Sequence, residues 1–598
     1  MLSKGASLLL VIINLASLTA CTGTDDSSPS LPAAEPSLNY SSTKKFDFTW
    51  TDSVGAEFYR ILEKPDSTSG YAQVGNDIPS GIQSFSIYVP IFKRLNASYI
   101  LQTCNINECV DSNAVFVTGN LEQSIGYIKA TNPGSGDYFG SSISLSGDGN
   151  TLAIGAWGEE SDTTNITESD TNSNDDSPTS GAVYVFTYEN FRWSLQSFIK
   201  ASNAEAYDWF GYSVSLNDDG NVLVVGAANE SSSAQGVNGN QLDNSTSDSG
   251  AAYVFIRNDG LWSQNAYLKA SNTGENDSFG KAVAISGDGS TIAIGAEEEK
   301  SKSSGINGDQ TNNNWSNSGA VYVFAKTATS WQQEAYVKAS NSLPVSTKFF
   351  GETVSLSDNG NTLVVGGSGD QSSATGINGN QSDINASKSG AAYIFTRTNS
   401  TWSQQAYVKA SNTEANDRFG YNVSISGDGA TLAVSAGFED SASVGVNGDQ
   451  TDNSANSSGA VYLFSFTNNQ WSQQAYLKSS NTEAADEFGS SISLSDDGNL
   501  IAIGAASEDG PIPGIGGNEL LNSSANSGAV YIFERTNNTW SQLSYVKASN
   551  PDAIDLFGGA VSLSDDGDTL AVGANLEDSN GDDDNNNSMG GAGAAYIY

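Results

Sequence analysis

The chain repeats one phrase seven times, from about residue 126 to its last residue. Each copy begins at a Phe-Gly pair, and successive copies are 69 or 71 residues apart, with the phenylalanines at Phe139, Phe210, Phe279, Phe350, Phe419, Phe488 and Phe557. A constant period of this length is typical of architectures in which each copy is one supersecondary unit. The repeat therefore limits the fold before any other property of the chain is considered.

Each copy contains four short runs rich in Val, Ile, Tyr and Phe, and turn residues separate the runs. Ser142–Ser146 alternates between polar and apolar residues, whereas 152–154 and 183–186 are continuously apolar, as in strands covered on both faces. A Gly-Asp-Gly turn at 147–149 suits a tight hairpin. We predict an all-β fold, a seven-bladed β-propeller with four-stranded blades. A linear β-solenoid is the competing arrangement, but its repeats are much shorter.

The two ends of the chain fit a closed ring. The seventh copy stops at Ala594–Tyr598, which corresponds to a third strand, and a spare fourth strand, Tyr127–Ala130, precedes the first copy. Pairing these two segments would complete the seventh blade and leave no open sheet edge. We therefore expect the propeller, residues 119–598, to be closed by its N-terminal strand.

Phe210-Gly211 followed by Gly226-Ala227 resembles the FG-GAP repeat of integrin α-subunit propellers, and Trp-Ser-Gln-Gln-Ala-Tyr resembles bacterial members of that family. Integrin-type repeats often place a calcium loop between the first two strands. Here that connection is only Ser146–Asn150, too short to surround an ion that takes six to eight oxygen ligands. The resemblance therefore implies the fold and a binding role but not that calcium site.

Residues 1–20 have the pattern of a secretion signal, with Lys4 before an apolar core too short to span a membrane. Leu18-Thr19-Ala20-Cys21 resembles a lipobox, which implies lipid attachment to Cys21; an ordinary signal with an incidental cysteine is the alternative. Thr22, rather than Asp, follows the cysteine, which by the sorting of Gram-negative lipoproteins suggests the outer membrane. Residues 21–38 are predicted to be a flexible tether.

Residues 39–118 do not repeat and are predicted to form a small β-sandwich, with strands at 46–50, 58–62 and 99–102. Trp50 on an early strand and Leu95 four residues before Tyr99 resemble a fibronectin type III domain with its tyrosine corner. Cys104 and Cys109 are expected to form a disulfide in an exported protein, with a gain of about 2 kcal/mol for so short a loop.

Composition excludes several classes of function. The formal charge of −43 disfavours nucleic acid and anionic membrane surfaces, so only the lipid would attach the protein to a membrane. The chain has no histidine, which removes histidine-based triads and the commonest general base. The composition still allows a carboxylate-based hydrolase, but nothing in the sequence singles out a carboxylate pair. We expect a monomer that is not an enzyme.

The links from strand two to three and from strand four to the next strand one are expected on one face of the ring. The two-to-three loops are long, as in 157–180, 228–249 and 575–592, and long loops on a rigid scaffold commonly form recognition surfaces. Three tryptophans fall in these connections: Trp157, Trp209 and Trp315. They either pin the loops or anchor a protein or glycan ligand.

Two further patterns are less specific. Six copies have Asp two residues before Phe-Gly, which indicates a carboxylate that caps backbone N–H groups or, alternatively, holds a ligand; the fourth has Lys348. Four loops share an Asn-Gly core that favours turns. Calcium of millimolar affinity at best is an alternative there, with candidate ligands Asn307, Asp309, Asn447, Asp449 and Asp452.

These observations favour a cell-surface lipoprotein that acts as a non-catalytic binding or adhesion module. A structural scaffold that docks other envelope proteins is the alternative, and the hydrolase is a distant third.

Overall fold

The computed structural model describes residues 31–168, 174–313, 317–342, 348–581 and 586–598. Cys21, Trp315 and the predicted signal peptide lie outside these ranges. Within them the protein is all-β, and its helices are two single 3-10 turns, Ile91–Lys93 and Glu122–Ser124. No helix in the described ranges is long and apolar enough to cross a membrane.

The N-terminal unit consists of two antiparallel sheets, with strand orders β1-β2-β5 and β4-β3-β6-β7, and β8 pairs with β6. The strands are β1 Ser37–Ser42, β2 Lys45–Thr49, β3 Phe58–Lys64, β4 Ala72–Pro79, β5 Ser84–Tyr88, β6 Ser98–Cys104, β7 Cys109–Asp111 and β8 Val115–Phe116. The three strands predicted around Trp50, Tyr59 and Tyr99 are therefore present.

Aromatic residues from both sheets form the core of this unit, and Trp50, Tyr59 and Tyr99 are buried in it. The hydroxyl of Tyr99 donates a hydrogen bond to the Glu63 carboxylate at 2.7 Å, rather than to the backbone as a tyrosine corner would. Cys104 and Cys109, at the start of the β6–β7 hairpin, are joined by a disulfide.

In the described part of the chain, seven antiparallel sheets follow, each built from four successive strands of the repeat. Sheets one to four contain β10 Ser142–Leu145, β11 Thr151–Ala156, β12 Ile166–Thr167, β13 Ala182–Glu189, β14 Arg192–Ile199; β15 Phe210–Leu216, β16 Val222–Ala227, β17 Ala251–Asn258, β18 Leu261–Leu268; β19 Ala282–Ile285, β20 Thr291–Ala296, β21 Ala320–Lys326, β22 Trp331–Val337; and β23 Val354–Leu356, β24 Thr362–Gly367, β25 Ala391–Thr398, β26 Thr401–Val408. In sheet one, β12 is an extra strand beside β14.

Sheets five to seven contain β27 Val423–Ile425, β28 Thr431–Ala436, β29 Ala460–Thr467, β30 Gln470–Leu477; β31 Phe488–Leu494, β32 Leu500–Ala505, β33 Ala529–Thr536, β34 Thr539–Val546; and β35 Ala560–Leu563, β36 Leu570–Ala574, β37 Ala594–Ile597, with β9 Gly126–Ile128 as the fourth strand. The pairing of β37 with β9 places Tyr596 opposite Tyr127, so the N-terminal strand completes the last sheet as predicted.

Serines of the alternating first strands connect neighbouring sheets. Ser144 accepts a hydrogen bond from the backbone N–H of Leu216 in the next sheet at 2.9 Å. The same bond joins the last sheet to the first, since the N–H of Leu145 donates to Ser562 at 3.0 Å. Equivalent bonds link the other neighbouring sheets except sheets three and four, because sheet three has Ala284 in place of the serine. The sheets are therefore joined in a circle, which is an arrangement of the β-propeller type.

The hairpin turns between first and second strands lie at one end of the circle, which we call the turn face. Backbone N–H···O bonds of 3.0–3.1 Å join each of these turns to the next and close on themselves, through residues 147, 218, 287–288, 358, 427, 496 and 565. At the inward position of the turns Gly and Asp alternate, except that Asp496 and Asp565 are neighbours. A Cβ on Gly427 would overlap the carboxylates of Asp358 and Asp496, so glycine makes room for its neighbours.

At the opposite end, the loop face, a buried ion pair lies beneath the two-to-three loops of most sheets. A lysine at the end of strand four contacts a glutamate that starts the loop, as in Lys269–Glu230 at 2.8 Å, and both side chains are buried. The equivalent pairs are Lys200–Glu159, Lys338–Glu299, Lys478–Glu439, Lys547–Glu508 and, through the N-terminal strand, Lys129–Glu577. Since a buried charge without a partner is costly, these pairs tie each loop to its sheet.

Sheet four departs from this pattern. It has Asp370 in place of the glutamate, and Lys409 on strand four is 3.7 Å from it. Lys348, which replaces the aspartate found before the other Phe-Gly pairs, contacts Asp370 at 2.7 Å. The two substitutions compensate each other. Asp370 has a shorter side chain than glutamate and lies farther from Lys409, but Lys348 is close enough to pair with it.

The N-terminal unit packs on the turn face. Lys93 pairs with Asp568 at 2.7 Å, and Lys44 donates to the Asp568 carbonyl at 2.7 Å. The rings of Tyr88 and Phe191 stack with centroids 4.0 Å apart. Hydrophobic residues of both regions share one core, so the unit is fixed to the ring.

Candidate functional site

On the loop face, the connection entering each first strand lies along a two-to-three loop of the preceding sheet. The N–H groups of Trp209 and Phe210 donate to the carbonyls of Thr179 and Ser180 at 3.2 and 3.1 Å. The two kinds of connection therefore share a face, as predicted.

The aspartates before Phe-Gly cap the backbone. Asp208 accepts a hydrogen bond from the N–H of Glu205 at 2.9 Å, and Asp417 accepts the equivalent bond from Glu414 at 3.0 Å. Burial raises the pKa of Asp208 to about 8. This geometry agrees with the capping interpretation of these residues.

The residue between that aspartate and the phenylalanine has an unusual backbone. Its φ is positive, between 51° and 59°, in all seven copies, although none of the seven is glycine. A left-handed conformation is uncommon for bulky side chains and often marks a functional position. The seven residues all differ: Tyr138, Trp209, Ser278, Phe349, Arg418, Glu487 and Leu556.

We call the inner rim the set of side chains at this position, at the position after Phe-Gly and at the position after the second strand. Its principal members are Tyr138, Trp157, Trp209, Tyr212, Lys281, Glu297, Glu352, Arg418, Tyr421, Glu487 and Asn575. Part of this set borders a cavity of about 400 Å³ at the loop-face end of the central channel, namely Trp157, Tyr212, Tyr421, Glu487 and Asn575.

Four aromatic residues of sheets one and two form one continuous cluster on the rim. Trp157 stacks on Tyr138 with centroids 4.5 Å apart and an interplanar angle of 18°. Trp209 stacks on Tyr212 at 5.8 Å and 15°, and the two tryptophans meet at 5.3 Å. All four remain half-buried. The structure therefore brings two of the three predicted tryptophans together, whereas Trp315 lies outside the described residues.

Charged residues occupy the rim in sheets three to six. Lys281 lies over the Tyr212 ring at 5.1 Å and pairs with Glu297 at 3.0 Å. Burial raises the pKa of Glu352 to about 7, and burial also raises the pKa of Glu487. The positive and negative groups here nearly balance, unlike those of the whole chain.

The candidate calcium ligands take part in local hydrogen bonds. Asn307 accepts a hydrogen bond from the N–H of Tyr336 at 2.9 Å, and Asn447 makes the equivalent bond to Tyr476, so both amides cover the outer edge of a fourth strand. The carboxylates of Asp309, Asp449 and Asp452 accept backbone N–H bonds of local turns. Among the described residues no group of three acidic, His or Cys side chains is placed to hold a metal ion.

Sequence reasoning missed Tyr138, Tyr212, Tyr421, Glu487 and Asn575. The signal that could have found them is the comparison of equivalent positions among the seven copies. Where the phrase is otherwise nearly constant, the rim positions change from copy to copy.

Repeated four-stranded sheets joined in a circle, with a variable rim at one end, define a repeat protein of the β-propeller type. The FG-GAP repeat model matches residues 125–186, 193–255, 262–324, 402–464, 471–533 and 540–598, which is more than half of the chain. The chain therefore belongs to the FG-GAP repeat family. Such repeats suggest an adhesion or binding module. The copy that is not matched contains the Lys348–Asp370 exchange.

Similar solved structures have low identity. The FN1–FN3 domains of chicken CNTN1 are 13% identical, covering 40% of this chain and 99% of that one with a TM-score of 0.13. The tricorn protease is 10% identical, covering 92% and 47% with a TM-score of 0.19. A Ca²⁺-stabilized adhesin that helps an Antarctic bacterium bind ice is 9% identical, covering 86% and 99% with a TM-score of 0.12. Scores this low support no conclusion about function. Among curated proteins none matches this chain.

Proposed function

We propose that the protein is a non-catalytic binding or adhesion module, attached to the outer membrane by lipid on Cys21. In this proposal the seven sheets are the blades of a seven-bladed β-propeller, and residues 39–118 are a fibronectin type III-like domain. The loop face, with the inner rim at its centre, is the binding surface.

One observation supports this role more than any other: the copies agree at packing positions and differ at the inner rim. The phenylalanine of Phe-Gly is fully buried in every sheet, as Phe210 and Phe419 illustrate. The residue directly before it differs in every copy, and its side chain is half-buried rather than enclosed in the core. Seven copies that keep one framework and vary one surface are suited to recognition of an asymmetric ligand.

The N-terminal unit lies beside sheets six and seven. Lys44 and Lys93 contact the turn face, whereas Leu95 borders a groove with Gly516 in the two-to-three loop of sheet six. A lipid on Cys21 would hold the protein to the membrane through this unit.

An adhesion assay tests the binding role. Beads coated with residues 22–598 are expected to be retained on some of a panel of bacterial and eukaryotic cell surfaces. Replacing Trp157 and Trp209 together by Ala should reduce retention, while Leu261→Ala, at an exposed site beside the turn between β17 and β18 at the opposite end of the ring, should not. No retention anywhere, or equal retention of the folded double variant, would refute the proposal.

Envelope location is tested separately. Palmitate labelling should disappear in Cys21→Ser, and protease added to intact cells should digest the ring if it faces outward. A labelled protein that is protected from protease would favour the scaffold role inside the envelope.

A further inference from the structure

The channel mouth has a bent aromatic surface on one side. The stacked pair Trp157–Tyr138 and the stacked pair Trp209–Tyr212 meet where the two indole rings are inclined by 55°. Such a surface offers two flat faces to a ligand without requiring the rings to become ordered first, because each ring already packs on another.

Polar groups line the same cavity of about 400 Å³ as Trp157 and Tyr212. They are the Glu487 carboxylate, the Asn575 side-chain amide and the Tyr421 hydroxyl. In the described ranges none of the three makes a hydrogen bond to another side chain or to the backbone. Together they offer both donors and acceptors to a ligand.

Charge narrows the class of ligand. A net charge of −43 repels polyanions, and the cation site over Tyr212 is already filled by Lys281. An apolar peptide side chain would cover Glu487 and Asn575 without satisfying them, which costs free energy. A neutral ligand that has both an apolar face and several hydroxyl groups satisfies the rings and the polar groups together.

We propose that the inner rim binds neutral carbohydrate, with one sugar ring against Trp157, which Tyr138 and Trp209 support from behind, and with its hydroxyls hydrogen-bonded to Glu487 and Asn575. This inference rests on the proposed binding function and names its ligand class. Pockets of about 300–1,000 Å³ hold small ligands, so the cavity accommodates roughly a disaccharide while a longer glycan continues outside the channel.

A glycan array that contains neutral and acidic glycans, probed with residues 22–598, tests the class directly. Binding to neutral glycans is expected, followed by calorimetric titration with the best soluble one. Trp157→Ala should weaken that affinity about tenfold, as for loss of aromatic contacts worth about 1.4 kcal/mol. Glu487→Gln should weaken it less, because the amide keeps one acceptor, and Leu261→Ala should leave it unchanged.

Binding to acidic glycans alone, binding to none, or an unchanged affinity in Trp157→Ala with an unchanged melting temperature would each overturn the inference. The bead assay separates this failure from failure of the binding function. If the beads still require Trp157 and Trp209 but periodate oxidation of the target surface has no effect, the rim binds a ligand that is not a carbohydrate. If the beads are not retained at all, both proposals fail.

Discussion

The buried layer beneath the loops and the inner rim belong to the same strands, yet they follow opposite rules. In the buried layer, six sheets carry the same Lys–Glu pair, and sheet four replaces it only with a compensating exchange at Lys348 and Asp370. On the rim, no residue type recurs at the position before the Phe-Gly phenylalanine. A position whose side chain neutralises a buried charge accepts few residue types. Side chains around the channel mouth have no such restriction and can differ from copy to copy.

The largest loss of stability is expected from removing the N-terminal strand that closes the ring. Deleting residues 121–130 removes β9 and also leaves Glu577 without Lys129, its partner at 2.6 Å. An exposed sheet edge and an unpaired buried carboxylate should cause aggregation or a large fall in melting temperature. A variant that stays monomeric and melts like the parent, measured by light scattering and calorimetry, would contradict the closure.

Two glutamate variants compare the contribution of the buried ion pairs to stability with that of the inner rim. Glu230→Ala should cost about 3–5 kcal/mol of unfolding free energy, because it leaves Lys269 buried without its partner. Glu487→Ala on the rim should change it by about 0.5 kcal/mol or less. Urea denaturation gives both values, and Glu230→Gln, which retains an acceptor, should fall between them. Equal losses at the two sites would remove the distinction between framework and rim.

Sheet four offers a double-mutant cycle. Lys348→Asp alone places two carboxylates beside Lys409, and Asp370→Glu alone adds a methylene to a filled space, so each should destabilise the protein. Together they recreate the pattern of the other sheets. The coupling energy should be favourable and about 0.5–3 kcal/mol. Additive losses would show that the exchange is not compensatory.

A smaller change in melting temperature is expected when the pH is varied, because of a carboxylate at the turn face. Burial, together with the nearby Asp496, raises the pKa of Asp358 to about 8. Because the folded protein then binds a proton more tightly than the unfolded chain, this group contributes less stability as pH rises from about 4 to 8. The melting temperature of Asp358→Asn should therefore fall less than that of the parent between pH 5.5 and 8.5. Parallel curves would show that this carboxylate does not titrate in that range.

Much of the fold could be predicted because it depends on local patterns. Alternation in 142–146, continuous apolar runs in the second and third strands and the spare strand before the first copy each have one physical solution, and the structure contains it. The structure differs from a tyrosine corner in the acceptor of the Tyr99 hydroxyl, because Glu63 on the neighbouring strand takes that hydrogen bond. Spacing cannot show which acceptor a side chain will meet across a sheet.

The rim was predicted only through its tryptophans. Trp157 and Trp209 were conspicuous as the rarer residues, but their contacts with Tyr138 and Tyr212 depend on how adjacent sheets lean together. Glu487 and Asn575 lie in sheets six and seven, far away in sequence, and only closure of the circle brings them to the same cavity. The bonds from the backbone N–H groups of Tyr336 and Tyr476 to Asn307 and Asn447 could not be predicted either, because the sequence does not show which strand edge a loop covers.

The circle of turns at the turn face has seven members, and an odd number cannot alternate two kinds of residue without a fault. The fault falls between Asp496 and Asp565, where two aspartates follow each other. Exchanging a repeat that has glycine at this turn with a neighbouring repeat that has aspartate would place aspartate where the adjacent carboxylates need glycine, as they do at Gly427. Although the copies look alike, the turns at the turn face restrict their order around the ring, at the end opposite the inner rim.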